Sequence, residues 1–374
     1  MSTSPLQSPL TSVPADIACA LDYERLAAHF MAPPTLAYIA GGSASGSTTA
    51  ANRAAFERWS VLPRILHDVS HGHTRLKLAG VPCAHPILLA PVAFQSLAHP
   101  GAEVDSARAA AAVDATFISS TFSSFAVEDI ARAGARHWFQ LYFQGSRDAT
   151  LSLLRRAEAA GCSAIVVTFD AVIQAPGHAA LRAGFRLPAS LVAPNLASLP
   201  ASAPALLQDG DSRIFQGAMR GAPGWDDLAW LLTQTTLPVW VKGVLHPDDA
   251  RHLSTMGVAG IVVSNHGGRG LDGAPASLEL LPAVRAAVGK LPLLFDGGIR
   301  SGADIFKARA LGADAVLVGR LQVYALAVAG ALGVAHMLQC LREELELCMA
   351  LAGCATLEQI DSACLWRNQA ERTC

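Results

Sequence analysis

The sequence predicts a (β/α)8 barrel. Eight short apolar segments recur along the chain, each five to eight residues long and mostly without alternation of apolar and polar residues, which is typical of strands buried on both faces of a parallel sheet. Helix-like sequence lies between them, and eight strand–helix repeats fit a closed barrel better than an open sheet. A length of 374 residues accommodates one barrel of about 250 residues with additions.

The predicted strands span residues 87–93, 116–120, 137–142, 164–170, 237–244, 260–266, 292–298 and 315–320. Between them, helices are predicted at 149–160 and 303–310. Upstream, residues 22–58 predict two or three helices that either cap the bottom of the barrel or flank its mouth. Downstream, apolar residues in 321–341 recur every three to four positions and polar residues interrupt them, which favours a buried or amphipathic helix over a membrane span.

We therefore expect a single domain at 21–374, with amino-terminal helices in 21–65 and the barrel at about 85–350. Residues 1–20 are expected to form a flexible tail. The first fifteen residues are rich in Ser, Thr and Pro and lack both the basic start and the apolar run of a signal peptide.

Composition excludes several classes of protein. The chain has 28 Lys and Arg residues against 30 Asp and Glu residues, a formal net charge of -2, which lacks the basic excess expected for binding nucleic acid or an anionic membrane. The 52% share of hydrophobic residues excludes a long disordered chain. The 8 cysteines form no Cys-x-x-Cys pair, which predicts reduced thiols, no metal site and a cytoplasmic protein.

The segment between the fourth and fifth predicted strands is unusually long. It covers residues 171–236, and Ala, Pro, Ser and Leu dominate 187–207. Long loops in compact domains are commonly lids, so this insert is a candidate cover for an active site. The alternative is a disordered insertion without function. Because 187–207 contains neither Lys nor Arg and is interrupted by prolines, it does not predict a membrane-binding helix.

The residues at the ends of the predicted strands are the candidate functional residues, since barrel enzymes carry their chemistry at the carboxyl ends of strands. Any one of these polar residues alone would be an ordinary hydrogen-bonding residue of the core, but their recurrence indicates a site. They are Pro91, Val92 and Ala93; Ser120; Gln140 and Tyr142; Thr168 and Asp170; Lys242; Ser264 and His266; Asp296, Gly297 and Gly298; Gly319 and Arg320.

Strands seven and eight end in Asp-Gly-Gly-Ile-Arg-Ser-Gly and Val-Gly-Arg, each followed by a predicted helix. Glycine amides and a helix amino terminus favour an anion, and Arg300 and Arg320 can pair with it, so we predict a phosphate site here. Lys242 is expected to project into the barrel mouth, where an unpaired ammonium needs an electron-rich partner. A flavin ring would supply that partner.

The most informative motif for catalysis is the run Ser-Asn-His-Gly-Gly-Arg-Gly-Leu-Asp at 264–272. The imidazole of His266 can act as a base near neutral pH, and Arg269 can bind a carboxylate. Asp170, at another strand end, can orient the imidazole ring and stabilise its protonated form.

These motifs resemble the FMN-dependent α-hydroxy-acid oxidase and dehydrogenase family. The resemblance covers nearly the whole chain, and its most specific pieces are SNHGGRGLDG, DGGIRSGADIFKARALGADAVLVGR, FQLY, and the segment 90–95 followed by Ala98-His99-Pro100. It implies that FMN is held by Pro91, Val92, Ala93, Ser120, Gln140, Thr168, Lys242, Ser264, Asp296, Gly298, Arg300, Gly319 and Arg320.

The resemblance also implies the catalytic residues. His266 would be the base, supported by Asp170, while Arg269 and Tyr38 would bind the substrate carboxylate and Tyr142 would lie near the hydroxyl. The α-hydrogen would pass to flavin N5, either as hydride or after abstraction of the α-proton, and both routes remain open. Oxygen or another acceptor would then reoxidise the flavin. A homo-oligomer, commonly a tetramer or octamer, is implied by the resemblance alone.

Three positions depart from the family pattern. Gly177 stands where a second substrate-binding arginine is usual, and His178 or Arg182 are the nearby residues able to replace its charge. Phe122 replaces a tryptophan common in glycolate oxidase, and Val92 replaces a threonine beside the flavin. The first two departures predict a substrate with a larger or aryl side chain, or a derivative of a hydroxy acid. Two alternatives are a redox-neutral FMN barrel isomerase and a non-catalytic flavin-binding paralogue.

Overall fold

The structure, a computed structural model, describes residues 5–200 and 206–368. Eight parallel strands close into a barrel in chain order, which confirms the predicted (β/α)8 architecture. The barrel strands are β4 (Ile87–Leu89), β5 (Thr116–Ser120), β6 (Arg136–Leu141), β7 (Ile165–Thr168), β8 (Val239–Val244), β9 (Gly260–Val263), β10 (Leu293–Phe295) and β11 (Ala315–Val318).

Each predicted strand overlaps an observed one, but most observed strands end earlier than predicted. Strand β9 ends at Val263, whereas the prediction extended it to His266. The backbone of His266 has a φ of 59°, outside the extended region, so the chain has already turned away from the barrel wall there. Residues such as Pro91, His266 and Asp296 therefore lie on loops at the barrel mouth, whereas Ser120, Gln140, Thr168 and Lys242 are still within strands.

Three further short strands precede the barrel and one follows it: β1 (Trp59–Val61), β2 (Leu76–Leu78), β3 (Val81–Cys83) and β12 (Leu365–Arg367). Strand β1 pairs antiparallel with β12 and β2 pairs antiparallel with β3. Leu78 of the β2–β3 hairpin packs into the apolar cluster inside the barrel, which includes the stacked rings of Trp138 and Trp240. None of these four strands was predicted, because runs of three residues carry no resolvable periodicity.

The helices form the outer layer. They are α1 (Asp22–Leu26), α2 (Pro33–Ala40), α3 (Ser47–Glu57), α4 (Ala102–Ala112), α5 (Val127–Ala131), α6 (Arg147–Ala159), α7 (His178–Arg182), α8 (Trp225–Leu232), α9 (Pro247–Thr255), α10 (Ser277–Val288), α11 (Gly302–Ala310) and α12 (Arg320–Ala352). The predicted helices at 149–160 and 303–310 correspond to α6 and α11. Helices α1 to α3 confirm the predicted amino-terminal helices.

The amino-terminal helices were predicted either to cap the bottom of the barrel or to flank its mouth, and they flank the mouth. The side chains of Asn52 on α3 and Asn265 after β9 exchange two hydrogen bonds, each 2.8 Å long. Asp272 accepts hydrogen bonds from Ser45 and Ser47, which lie in and after the α2–α3 connection. These contacts fix α2 and α3 against the loop that carries His266.

Helix α12 includes the apolar segment predicted to be a buried or amphipathic helix. It is one helix that length and composition would allow to cross a membrane, but 78% of its apolar window is buried inside the protein. Non-helical backbone at Ala329 and Gly330 kinks it, and Gly330 lies against His99. Burial against the barrel therefore accounts for its apolar composition.

The predicted tail is described from residue 5 onward, and residues 1–4 lie outside the described part. Residues 5–20 contain no helix or strand. The backbone N–H groups of Gln7 and Leu10 donate to the carbonyls of His29 and Val328. The flexibility of this segment stays a prediction.

Candidate active site

A cavity of about 1310 Å³ opens at the carboxyl ends of the barrel strands. Ordinary small-molecule sites measure about 300–1,000 Å³, so this cavity has room for a large cofactor together with a substrate. Seventeen of the predicted site residues line it: Tyr38, Pro91, Val92, Ala93, Ser120, Phe122, Gln140, Tyr142, Thr168, Lys242, His266, Arg269, Asp296, Gly298, Arg300, Gly319 and Arg320. The remaining two, Asp170 and Ser264, lie behind this wall and hydrogen-bond to residues that form it.

His266 and Asp170 form a partly buried pair. Nδ1 of His266 lies 2.9 Å from Oδ1 of Asp170. A carboxylate accepts, so Nδ1 carries the proton and Nε2 is left with its lone pair. Burial raises the pKa of Asp170, but the charges of His266 and Lys242 outweigh burial and lower it below its ordinary value. Asp170 is therefore ionised at neutral pH, as a partner of an imidazolium must be.

The loop of His266 is held in an uncommon conformation. A positive φ at a residue other than glycine costs free energy and persists where the surroundings enforce it. Here the hydroxyl of Ser264 accepts from the His266 backbone N–H at 3.0 Å, and the Asn265 side chain accepts from the Gly268 N–H at 3.1 Å. A Cβ at Gly268 would lie 2.4 Å from Oγ1 of Thr49, which explains why glycine stands there.

Lys242 already has partners within the protein, in addition to the flavin ring that was predicted to be its partner. Its Nζ lies 3.0 Å from Oδ2 of Asp296 and 2.8 Å from Oγ of Ser264, which in turn donates to Oδ1 of Asp296 at 2.6 Å. Burial lowers the pKa of Lys242, but Asp296 and Asp170 outweigh burial and raise it above its ordinary value. The ammonium is thus charged. Asp296 balances this charge, and because Lys242 lines the cavity, the ammonium can also contact a bound ligand.

Two arginines hold the end of α2 over the mouth. Nη1 of Arg269 donates to the carbonyls of Tyr38 and Gly41 at 2.8 and 3.0 Å, and Arg320 donates to those of Ile39 and Gly41 at 3.1 and 2.8 Å. The Arg269 guanidinium also lies 4.6 Å from the centre of the Tyr38 ring. Burial, together with the charge of Arg269, lowers the pKa of Arg320 to about 10. These contacts bring Tyr38 to the cavity.

The predicted anion site is divided between two helix starts. The first amides of α11 already have partners, since the Gly302 N–H donates to Glu344 and the Asp304 N–H to Ser301. Arg300 pairs with Glu24 at 2.6 Å and still lines the cavity. By contrast, α12 begins at the cavity without a side-chain cap, so its open amides and Arg320 favour an anion there.

Three buried donors at the cavity wall lack a partner within the described residues, and Nε2 of Gln95 is one of them. Nε2 of Gln140 and Oγ1 of Thr168 make no hydrogen bond within residues 5–200 and 206–368, although both residues are buried. Such groups are costly unless a ligand or water satisfies them. A cavity this large, with orphaned donors on β6 and β7 and arginines by the open end of α12, fits a polar anionic cofactor such as FMN.

Aromatic rings form one wall of the cavity. The centre of the Phe122 ring lies 6.0 Å from that of Phe94 and 5.7 Å from that of Tyr142. Burial raises the pKa of the Tyr142 hydroxyl above its ordinary value, so the phenol stays protonated and can donate a hydrogen bond. This wall offers apolar surface beside a single polar group.

The long insert borders the cavity, as expected of a lid. Its described part contains α7, a π-helical turn (Arg213–Ala218) and α8, while residues 201–205 lie outside the described part. Apolar residues before and after this gap line the cavity, among them Leu187, Pro200 and Leu206. Closure itself stays a prediction.

The two proposed substitutes for the missing arginine are in the wrong place. Gly177 forms a bridge with Ala44, which fixes α7 beside α2. His178 and Arg182 are exposed and neither contributes to the cavity wall.

Sequence reasoning missed several cavity residues. Gln144 follows β6, Gln174 and Arg220 belong to the insert, and Ile39 lies in the last turn of α2. Gln144 lies close enough to a predicted strand end to have been found by the same rule. The insert residues had no such signal, because they reach the mouth through the path of a long loop.

Comparison with known proteins identifies the family. The family model for FMN-dependent dehydrogenase matches residues 27–367. The L-lactate oxidase of Alicycliphilus denitrificans is 63% identical over 94% of this chain and 97% of its own length. The 4-hydroxymandelate oxidase of Amycolatopsis orientalis is 42% identical over 90% of this chain and 94% of its own. A solved structure of mandelate oxidase with (S)-2-phenylpropionate superposes with a TM-score of 0.84 at 39% identity, covering 94% of this chain and 99% of that one.

The sequence motifs, the barrel and the cavity agree with these relatives. The chain belongs to the FMN-dependent α-hydroxy-acid oxidase family, and it is an oxidoreductase with FMN as its cofactor.

Proposed function

We propose that this protein oxidises an α-hydroxy acid to the 2-oxo acid with His266 as the base. The observation that carries the proposal is the His266–Asp170 pair at 2.9 Å, which lies at the same cavity as Arg269 and Tyr142. Nδ1 is occupied by Asp170, so Nε2 is the nitrogen available to take a proton. The rigid loop around His266 keeps that nitrogen at the cavity wall.

FMN, when bound, supplies the ring that accepts the two electrons and the second hydrogen at N5. His266 takes the other proton, either from the hydroxyl or from the α-carbon, and the imidazolium that forms is stabilised by Asp170. Arg269 and the hydroxyl of Tyr38 bind the substrate carboxylate. Tyr142, protonated by virtue of its burial, donates to the substrate oxygen.

The other residues predicted to hold FMN support the proposal by their position. Ser264, Lys242 and Asp296 form one hydrogen-bonded group beneath the cavity. Backbone groups of the segment 91–93, together with Gly298 and Gly319, are placed at its edge. The two alternatives, a redox-neutral isomerase and a non-catalytic paralogue, are not favoured, because the relatives are named as oxidases and the His266–Asp170 pair is intact.

Two substrate classes compete. The aromatic wall of Phe94, Phe122 and Tyr142, together with glycine at position 177, supports a hydroxy acid with a larger or aryl side chain. The 63% identity to a protein named L-lactate oxidase favours lactate instead. The same residues serve as base and carboxylate site in both cases.

The test is an anaerobic screen of the FMN-loaded protein. Lactate, glycolate, mandelate, mandelic esters and amino acids are mixed with it separately, and flavin bleaching is followed before oxygen is admitted. Mandelates bleaching the flavin faster than lactate would support the aryl substrate, and the reverse order would reject it. Absence of bleaching by every α-hydroxy acid would contradict the proposed function itself.

The rate of colour return with oxygen separates an oxidase from a dehydrogenase that uses another acceptor. A tetramer and a cytoplasmic location stay predictions, which light scattering and cell fractionation test.

Replacing Gln140 with Leu should weaken FMN binding about tenfold, because it removes the unpartnered Nε2 donor that would bind an acceptor of the cofactor. The dissociation constant is measured by quenching of FMN fluorescence on titration with FMN-free protein. Gln174→Leu is the matched control, since Gln174 lines the cavity but is exposed. If the Gln140→Leu variant bound FMN with the same affinity as the wild type, Gln140 would not be a cofactor-binding residue.

A further inference from the structure

Arg220 is a cavity residue that the sequence motifs do not account for. It lies on the turn 217–223 of the insert, between the π-helical turn Arg213–Ala218 and α8. Gly217, Gly221 and Pro223 of the same turn also line the cavity. The insert thus adds a charged group, as well as an apolar cover, to the mouth of the site.

The turn that carries Arg220 is held at both ends. At its start, the Met219 N–H donates to the carbonyl of Ile214 at 2.8 Å, which closes the π-helical turn. At its end, Asp227 in the first turn of α8 pairs with Arg147 at 3.1 Å. Arg147 begins α6, directly after the cavity residue Ser146. The α8 end of the turn is therefore connected to the barrel through a surface ion pair.

Arg220 differs from the other cations of the cavity wall. Lys242 and Arg300 pair with Asp296 and Glu24, while Arg269 and Arg320 donate to backbone carbonyls of the α2 end. Arg220 is exposed at the mouth, and within the described residues its guanidinium makes no hydrogen bond or ion pair with the protein. Its donors are the ones that a carboxylate can occupy without displacing an internal partner.

The position of the usual second arginine cannot recover that role in this backbone. A Cβ at Gly177 would lie 2.4 Å from the carbonyl oxygen of Gly42, closer than any real contact. The neighbouring hydrogen bonds, from Ala44 to Pro176 at 3.2 Å and from His178 to Ala44 at 2.8 Å, hold the backbone in place. A second cation has to reach the substrate from another segment.

We propose that Arg220 binds the carboxylate of the substrate opposite Arg269, so that the insert supplies the charge that position 177 lacks. This inference rests on the proposed function, because it assumes a hydroxy-acid anion in the cavity. It makes Arg220 a residue that determines specificity for acids over their neutral esters and amides. Bidentate pairing of a guanidinium with a carboxylate supplies both the affinity and the orientation.

The experiment compares Arg220→Gln with the wild type in the full-length, FMN-loaded protein. Propionate, phenylacetate and the two corresponding amides are titrated while flavin absorbance is followed, and KM is measured for the hydroxy acid that bleaches the flavin fastest. We expect the dissociation constants of the carboxylates and this KM to rise about tenfold, while those of the amides change less than about twofold. Arg220→Lys should give intermediate values, because it keeps the charge but loses the planar fork.

Arg213→Gln is the matched control, since Arg213 begins the same π-helical turn, is exposed and does not line the cavity. It should bind acids and amides as the wild type does. If the Arg220→Gln variant bound the carboxylates as tightly as the wild type, the inference would be overturned. It would also be overturned if the dissociation constants of carboxylates and amides rose equally, because Arg220 would then only maintain the shape of the insert. The proposed function is tested separately, by whether α-hydroxy acids bleach the flavin of the wild-type protein.

Discussion

Replacing His266 with Gln should slow the reduction of bound FMN by the best α-hydroxy acid by a factor of about 10² to 10⁴, the usual contribution of a positioned general base. The amide of glutamine keeps a polar group of similar reach but cannot take the proton. FMN should remain bound, because the contacts of Lys242, Asp296 and Ser264 do not involve the imidazole. Stopped-flow measurement of anaerobic flavin bleaching gives the rate constant directly.

His71→Gln provides the control, since His71 is exposed and remote from the cavity wall. It should reduce FMN at the wild-type rate. If the His266→Gln variant also bleached within about threefold of the wild type, His266 would not be the base, and the His266–Asp170 pair would have only a structural role.

Replacing Lys242 with Met should lower the free energy of unfolding by about 3 kcal/mol or more. Lys242 is only 3% exposed, and its removal leaves the Asp296 carboxylate, 7% exposed, without its counter-charge. Breaking a buried ion pair from one side costs about 3–5 kcal/mol, because the remaining charge stays desolvated. Urea-induced unfolding of the FMN-free protein, followed by tryptophan fluorescence, measures the change.

The second substitution Asp296→Asn, made on the Lys242→Met background, should restore part of the loss, since it removes the uncompensated charge. Lys290→Met changes an exposed lysine and should alter stability by less than about 0.5 kcal/mol. A Lys242→Met protein as stable as the wild type would mean that Asp296 is neutralised without lysine.

Both predictions concern residues that sequence reasoning had already placed at strand ends, but for different reasons. His266 was found from its motif, and its partner Asp170 was named although 96 residues separate the two in the chain. Lys242 was found as well, and the flavin ring was named as its partner, but the carboxylate of Asp296 was not. The sequence does not show that Asp296, which directly follows β10, lies 3.0 Å from Lys242 on β8, two strands away in the barrel.

The strand order explains what could be predicted. In a barrel whose strands follow chain order, carboxyl ends meet at one mouth, so a residue's place after a strand already puts it near the site. This rule, together with the family motifs, found seventeen cavity residues and the two behind them. It failed for the β2–β3 hairpin and for the insert, whose positions depend on packing rather than on local pattern.

The amino-acid sequence by itself determined the barrel, the FMN family and the residues gathered at the mouth, because apolar periodicity and short motifs are local properties of the chain. Only the tertiary structure decided which charges are paired, that Gly177 is locked against Gly42, and that Arg220 returns to the cavity. Ion pairing and loop placement depend on distances between segments far apart in sequence. Those distances are set by the packing of α2, the insert and the barrel against one another, which no local pattern encodes.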